Sequence, residues 1–279
     1  MTFSKEEFFE AVENNDVLKI AFFSHLGAKI NFRDSQGRTA IHIAVEHGYV
    51  DLVEVLMGMG GDPYKFNFTG EHALTIPFSM SPESCMQVMG GLLELGLDPD
   101  IENGKGLTPL QKAIMGRYLD VIPLLLKHNA SILKKTRVYS PLTMLTSPDY
   151  DFPGREDIFA TVFKYLNLDA QDPDGRTVLH QIITETPQKD LVFKILKRGA
   201  NPNVQDNEGN TPLHLSALEF DTRQLLPLLL GHGANPYIRN DQGSNCFTIL
   251  KSKGEHGLLS LLKEYAAKHK LRDKFGVST

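Results

Sequence analysis

The side chains in this 279-residue chain with the most chemistry to offer are ten histidines and two cysteines. Their spacing argues against most of what they could do. There is no His-Glu-x-x-His pair to put two imidazoles on one helix face for zinc, and no Cys-x-x-Cys pair. Nor is there a Gly-x-Ser-x-Gly turn for a nucleophilic serine or a phosphate loop ending in Gly-Lys-Ser/Thr. Asn103-Gly104-Lys105-Gly106 reads as a turn with one basic residue rather than a nucleotide loop. His128 and His232 fall in the last turn of predicted helices, where a donor suits the carbonyl end. Cys85 follows a helix start at Ser81-Pro82, and Cys246 lies near another. A helix N-terminus can lower a thiol pKa, but no histidine neighbours either, so both read as free structural thiols. His42, His180 and His214 share one position in a recurring pattern, which turns attention to the elements that place them.

The clearest of these elements is the stretch 206–236, DNEGNTPLHLSALEFDTRQLLPLLLGHGANP. A glycine-bearing turn leads into Thr211-Pro212-Leu213-His214, followed by two short apolar-periodic segments and Gly233-Ala234-Asn235. Copies recur in register at Thr39, His72, Thr108, Ser140, Thr177, Thr211 and Asn245, with gaps of 33, 36, 32, 37, 34 and 34 residues. Asn210-Thr211-Pro212-Leu213-His214-Leu215, Gly37-Arg38-Thr39-Ala40-Ile41-His42-Ile43-Ala44 and Gly175-Arg176-Thr177-Val178-Leu179-His180 make the chain resemble the ankyrin repeat family. All but the first thirty-odd residues and the last dozen or so are covered. The resemblance implies an all-α, ankyrin-repeat solenoid of stacked helix-turn-helix units joined by β-turn-like loops. It also implies that His42, His180 and His214 brace adjacent turns by hydrogen bonds.

Bulk properties fit a repeat array. A hydrophobic content of 41% suffices for a long narrow core, and a net charge of −5 with mixed signs gives no global attraction to nucleic acid or membrane. The two cysteines lie far apart in the sequence, so they are not expected to pair, and a reducing compartment fits. No apolar run reaches about 18 residues, the length expected of a membrane span. The start, MTFSKEEFFEAVENN, is acidic and helical rather than a signal peptide. The expected location is the cytoplasm.

Taken in order, residues 1–33 are expected to form an N-terminal capping helix pair. Its first helix opens on a Ser4/Glu7 capping box, and Phe8, Phe9, Val12, Leu18, Phe22, Phe23 and Leu26 supply two helical stripes. Six repeats fill 34–239, those at 67–101 and 134–171 irregular, and 240–279 is a C-terminal capping repeat and tail, all as one continuous domain. In the repeat at 67–101, Pro77 falls inside or just after the short inner helix and Gly90-Gly91 weakens the outer one, so it is expected to be the weakest unit. Arg117 replaces a turn glycine, and Pro123 and Pro227 are expected in the first turn of their helices. The repeat at 134–171 has no turn glycine in Lys134-Lys135-Thr136-Arg137-Val138-Tyr139 and carries an insertion, 146–155, between its helices. There the acidic Asp149, Tyr150, Asp151 and Phe152 are expected to face the basic run. A longer helix over about 255–270 closes the array, and 271–279 is expected to fray.

Function is expected where the scaffold does not dictate the residue. In the family this chain resembles, turn tips and the exposed side of the inner helices form a concave recognition surface. By register, the candidate partner-binding residues are Arg38, Glu46, His47, Phe68, Glu71, Leu107, Met115, Arg137, Tyr139, Arg176, Asn210 and Glu219. Aromatic and methionine side chains beside arginine are what interface anchors are made of. The expected function is therefore a protein–protein interaction module, an adaptor, scaffold or inhibitor, that is monomeric alone. No enzyme activity, cofactor, metal or nucleic-acid partner is expected. Two alternatives stand beside it: a secreted bacterial effector acting on a host protein in the host cytoplasm, and a regulatory or targeting subunit of an enzyme. The Met1 start and the capped ends argue against a missing catalytic domain, and the irregular middle repeats are a candidate second docking region.

Overall fold

A threonine three residues ahead of a histidine performs two tasks in this chain. Thr39 stands in extended backbone before a helix, and His42 Nδ1 accepts its amide hydrogen at 3.1 Å, which caps the first turn. The far nitrogen, His42 Nε2, then donates to the Glu71 carbonyl of the following turn at 3.1 Å. The same arrangement joins Thr177 and His180 to Asn210, and Thr211 and His214 to Ser244, so these histidines brace adjacent turns as expected. Gln111 substitutes for the histidine after Thr108, accepting the Thr108 amide at 2.8 Å and donating to the Tyr139 carbonyl.

A computed structural model of the chain describes residues 4–137, 139–147, 154–219 and 221–269. Among them are fifteen α-helices and no strand. In order they are α1 (Lys5–Glu13), α2 (Val17–His25), α3 (Ala40–Glu46), α4 (Val50–Gly58), α5 (Pro82–Glu94), α6 (Pro109–Met115), α7 (Val121–Lys127), α8 (Pro141–Thr146), α9 (Arg155–Tyr165), α10 (Val178–Glu185), α11 (Lys189–Lys197), α12 (Pro212–Leu218), α13 (Leu226–Gly231), α14 (Cys246–Ser252) and α15 (His256–Lys268). Most inner helices run only seven or eight residues, too short to persist alone. They form because nearly every apolar side chain they carry is buried. None of the described helices is long and apolar enough to cross a membrane.

The helices group into two compact units, Met1–Pro141 with Asp151–Leu166, and Leu142–Tyr150 with Asn167–Thr279. The sequence reading has one continuous body here. The first unit holds α1 to α7 and α9, with α9 packed on α7. The second holds most of α8, together with α10 to α15. Within it, Thr143 Oγ1 donates to Glu185 at 2.8 Å and Gln188 Nε2 donates to the Thr146 carbonyl at 2.6 Å. The two helices of the irregular repeat at 134–171 are thus divided between the units.

The N-terminal pair opens on the predicted Ser4/Glu7 capping box and buries Phe8, Phe9, Val12 and Phe23. Leu18, Phe22 and Leu26 are exposed instead, at 84%, 50% and 40%, because α2 turns its Ile20 and Phe23 side inward. Pro123 and Pro227 lie at the third and second residues of α7 and α13, in the first turn as expected, where the missing N–H has no partner to lose. Arg117 adopts the glycine-like φ of +58° demanded by its turn. Gly91 corrects the view of the glycine pair as a defect. A Cβ there would come within 2.7 Å of Val50 Cγ1, so its absence lets α4 and α5 approach. The last described helix, α15, begins after Glu255, whose carboxylate pairs with Arg223 rather than with the helix amides. Asp149, Tyr150, Asp151, Phe152 and the tail 271–279 lie outside the described residues, and so do the expectations placed on them.

Candidate functional site

The irregular repeat at 67–101 inverts the pair that starts the other inner helices. His72 occupies the threonine position and Thr75 the histidine position, and the His72 amide donates to Thr75 Oγ1 at 2.9 Å. A threonine is too short to reach the next turn, so the strut found in neighbouring repeats is lost. In place of a regular inner helix the chain forms a four-residue 3₁₀ turn, Ile76–Ser79, with Pro77 in its opening positions. This short element sits between α3 and α6 and leaves an open cleft of about 600 Å³.

The next repeat supplies what the lost strut does not. Lys112 Nζ donates to the Thr75 carbonyl at 3.1 Å, pairs with Glu71 Oε2 at 2.9 Å and lies 5.4 Å from the Phe78 ring centroid. Tyr118 Oη donates to the Phe78 carbonyl at 2.7 Å, with the two rings edge to face at 5.1 Å. On the other wall, Arg38 Nε donates to Asp34 at 2.7 Å and its Nη1 to Glu46 at 2.6 Å. Burial pushes the Asp34 carboxyl up, but the Arg38 side chain and the backbone amides of Arg38 and Gln36 outweigh it and hold it below the usual range. Glu71 behaves alike: burial is opposed by hydrogen bonds from Lys112, Thr75 and Asn103, and its pKa ends lowered. Both carboxylates are ionised at neutral pH.

Five of the candidate residues, Arg38, Glu46, Glu71, Leu107 and Met115, line this one cleft. Phe68 is 73% exposed on the adjoining turn tip, its ring laid across Gly37 where a Cβ would come within 2.5 Å of it. His47 is exposed beside them, its Nδ1 bonded to the Ile43 carbonyl and its ring stacked on Tyr49. Arg137 and Tyr139 are exposed on the next turn, the Arg137 side chain packed on Gly106. Arg176 and Glu219 belong to the second unit, where Arg176 Nε lies 3.8 Å from Asp206. Asn210, also in the second unit, is 5% exposed and acts as a strut. It donates to Glu208 at 3.1 Å and accepts from Asn240 at 2.8 Å. Sequence reasoning passed over Phe78, Lys112 and Tyr118, though the inverted His72/Thr75 pair was the signal that this repeat must be held differently.

The residues with chemical potential serve the scaffold. Burial lowers the pKa of His42, His180 and His214, and brings His72 to about 4. Cys85 and Cys246 are free thiols with no exposed surface. Burial raises them to about 11 and about 12, which overturns the possibility that a helix N-terminus activates either one. Among the described residues no group of three or more His, Cys, Asp or Glu is placed to hold a metal ion.

Comparison with known proteins agrees with this architecture. A family model of three ankyrin repeats matches residues 8–103 and 155–240, and a single ankyrin repeat matches 105–137. Ankyrin repeat domain-containing protein 63 of Homo sapiens is 34% identical over 31% of this chain and 23% of its own length. Rabankyrin-5 of Homo sapiens is 26% identical over 60% of this chain and 14% of its own length. The target of rapamycin complex 2 subunit AVO2 of Saccharomyces cerevisiae is 29% identical over 30% of this chain and 20% of its own length. The chain thus spans under a quarter of each of these relatives. A solved ankyrin repeat domain, that of Bcl-3, is 22% identical with a TM-score of 0.40, covering 92% of this chain and 97% of that one. Ankyrin repeats are modules for protein–protein interaction, and with matches over most of its length this chain belongs to the ankyrin repeat family.

Proposed function

We propose that this chain is a binding module that holds a partner protein on its turn tips and inner helices, as an adaptor, scaffold or inhibitor, without bond chemistry. One observation carries the reading. Arg38, Glu46, Glu71, Leu107 and Met115 were singled out because the repeat does not dictate them, and they converge on one cleft. Met115 is 58% exposed there and Phe68 is 73% exposed beside it, large apolar surfaces of the kind that anchor interfaces. The reading places the chain in the cytoplasm, where thiols such as Cys85 and Cys246 stay reduced.

The test uses exposed side chains whose loss leaves the fold intact. Glu46→Lys with Met115→Asp should abolish capture of a protein partner recovered from native cells, with the melting temperature little changed. Glu54→Lys with Lys127→Glu, on the outer helices, should leave capture as in wild type. If the first pair captures the partner with wild-type affinity, the assignment of this face is wrong.

A further inference from the structure

The cleft carries information about the kind of polypeptide it takes. Glu46, Ser79 and Met115 occupy the same position in three successive repeats, seven residues past Thr39, His72 and Thr108, and all three line the cleft. They set out a carboxylate, a hydroxyl and a thioether in a row.

The charges along this row are not balanced. Arg38 lies between two carboxylates, Asp34 and Glu46. Asp34 is the more enclosed and takes both the Arg38 side chain and the amides of Gln36 and Arg38. Glu46 takes only the Arg38 guanidinium and is the more exposed, at 29% against 13% for Asp34. The unmatched negative charge therefore stands at Glu46. At the other end Glu71 and Lys112 cancel. The Lys112 ammonium is already committed to Glu71, to the Thr75 carbonyl and to the Phe78 ring, leaving it nothing to offer an acidic guest. Around Met115 the lining is apolar, from Leu107, Ile76, Phe78 and Tyr118. A methionine at such a wall adapts to irregular apolar shapes.

We propose that the cleft selects an extended segment of a partner protein carrying one basic side chain for Glu46 and one large apolar side chain for Met115. The inference rests on the functional reading above and adds the chemistry of the partner. Spacing is set by the fold. Two steps between packed helices make about 16–20 Å, which about five or six residues of extended chain span. An α-helix bridging the same distance needs about 11–13 residues, so the spacing between the two anchor side chains distinguishes the two conformations.

Selection from a phage library of random twelve-residue peptides on the full chain tests this. Enriched sequences should pair Lys or Arg with Leu, Met or Phe about five or six residues away. Measured by fluorescence anisotropy, an enriched peptide should bind Glu46→Gln about fivefold more weakly and should lose most of its binding to Met115→Ala. Selection on Glu46→Lys should turn toward acidic peptides. Acidic or charge-indifferent peptides from wild type would overturn the charge rule, as would no enrichment over bare matrix. If those peptides still weaken on Met115→Ala, the face itself stands. Peptides that enrich yet bind Glu46→Lys and Met115→Ala equally well sit elsewhere, and that result would sink the functional reading too.

Discussion

Thr75 Oγ1 accepts the amide hydrogen of His72 at 2.9 Å, the same amide-to-side-chain cap as in the Thr177 and His180 pair but with the two residue types exchanged. The inversion keeps the local cap and loses the link to the next turn. The two positions should therefore respond differently to truncation. His180→Ala removes a fully buried ring that serves the Thr177 amide and the Asn210 carbonyl, and should cost about 2–4 kcal/mol. Thr75→Ala removes a cap and should cost about 1 kcal/mol. Urea unfolding of the two variants checks the order, and equal losses would deny the histidine its bridging role.

The glycine pair in α5 gives a sharper contrast. At Gly90 a Cβ would meet Leu124 at 3.9 Å, an ordinary contact, so Gly90→Ala should gain about 0.5–1 kcal/mol from helix propensity. At Gly91 the same methyl would lie 2.7 Å from Val50 Cγ1 and 3.0 Å from its Cγ2, and both belong to a stiff β-branched side chain. Gly91→Ala should therefore destabilise, by about 1–3 kcal/mol. Adding Val50→Ala should recover much of that loss, because the two sites share one contact. Melting temperatures of the four proteins decide it.

These cases mark what the sequence makes legible. Thr39-x-x-His42 and its copies announce caps and struts because the hydrogen bonds are local or reach one fixed turn away. The helix starts at Ser4, Ser81 and Pro227 are readable for the same reason. Gly91 is not, since its value depends on Val50, more than a repeat away. Nor is the burial of Asn210, whose partner Asn240 sits thirty residues on. The cleft shows the same division. Its exposed members, such as Glu46 and Met115, emerge from register alone. Lys112, Phe78 and Tyr118 matter through the carbonyls that a shortened helix leaves open, and that requirement appears only once the 3₁₀ turn is seen.

Buried imidazoles set the response to acid. His42, His72, His180 and His214 are held below their ordinary pKa by burial, so the unfolded chain binds their protons more readily. Their contribution is complete above about pH 6.5 and is lost as pH falls, for His72 down to about 4. Each histidine in this window contributes a slope of up to about 1.4 kcal/mol per pH unit. Asp34 and Glu71, also lowered, act in the same direction below their own ordinary values. The urea midpoint should be clearly lower at pH 5 than at pH 7.5. A midpoint that rises toward pH 5 would contradict neutral, buried histidines.

The 3₁₀ turn should also be the place where the first unit opens most readily. Its four residues make few i→i+4 bonds, and Pro77 contributes no amide at all. The lower wall of the cleft is held by two side chains from a different repeat, Lys112 and Tyr118, rather than by a histidine strut. By contrast, α12 is capped by Thr211 and His214 and buries every residue from Pro212 to Ala217. Amides of Ile76, Phe78 and Ser79 should therefore exchange faster than those of Leu213 to Ala217 in native-state hydrogen exchange. Tyr118→Phe, which leaves the Phe78 carbonyl without its hydroxyl donor, should widen the difference and leave α12 unchanged. Equal protection in the two segments would mean that the inverted pair carries no local weakness, and that the cleft is as rigid as the regular repeats.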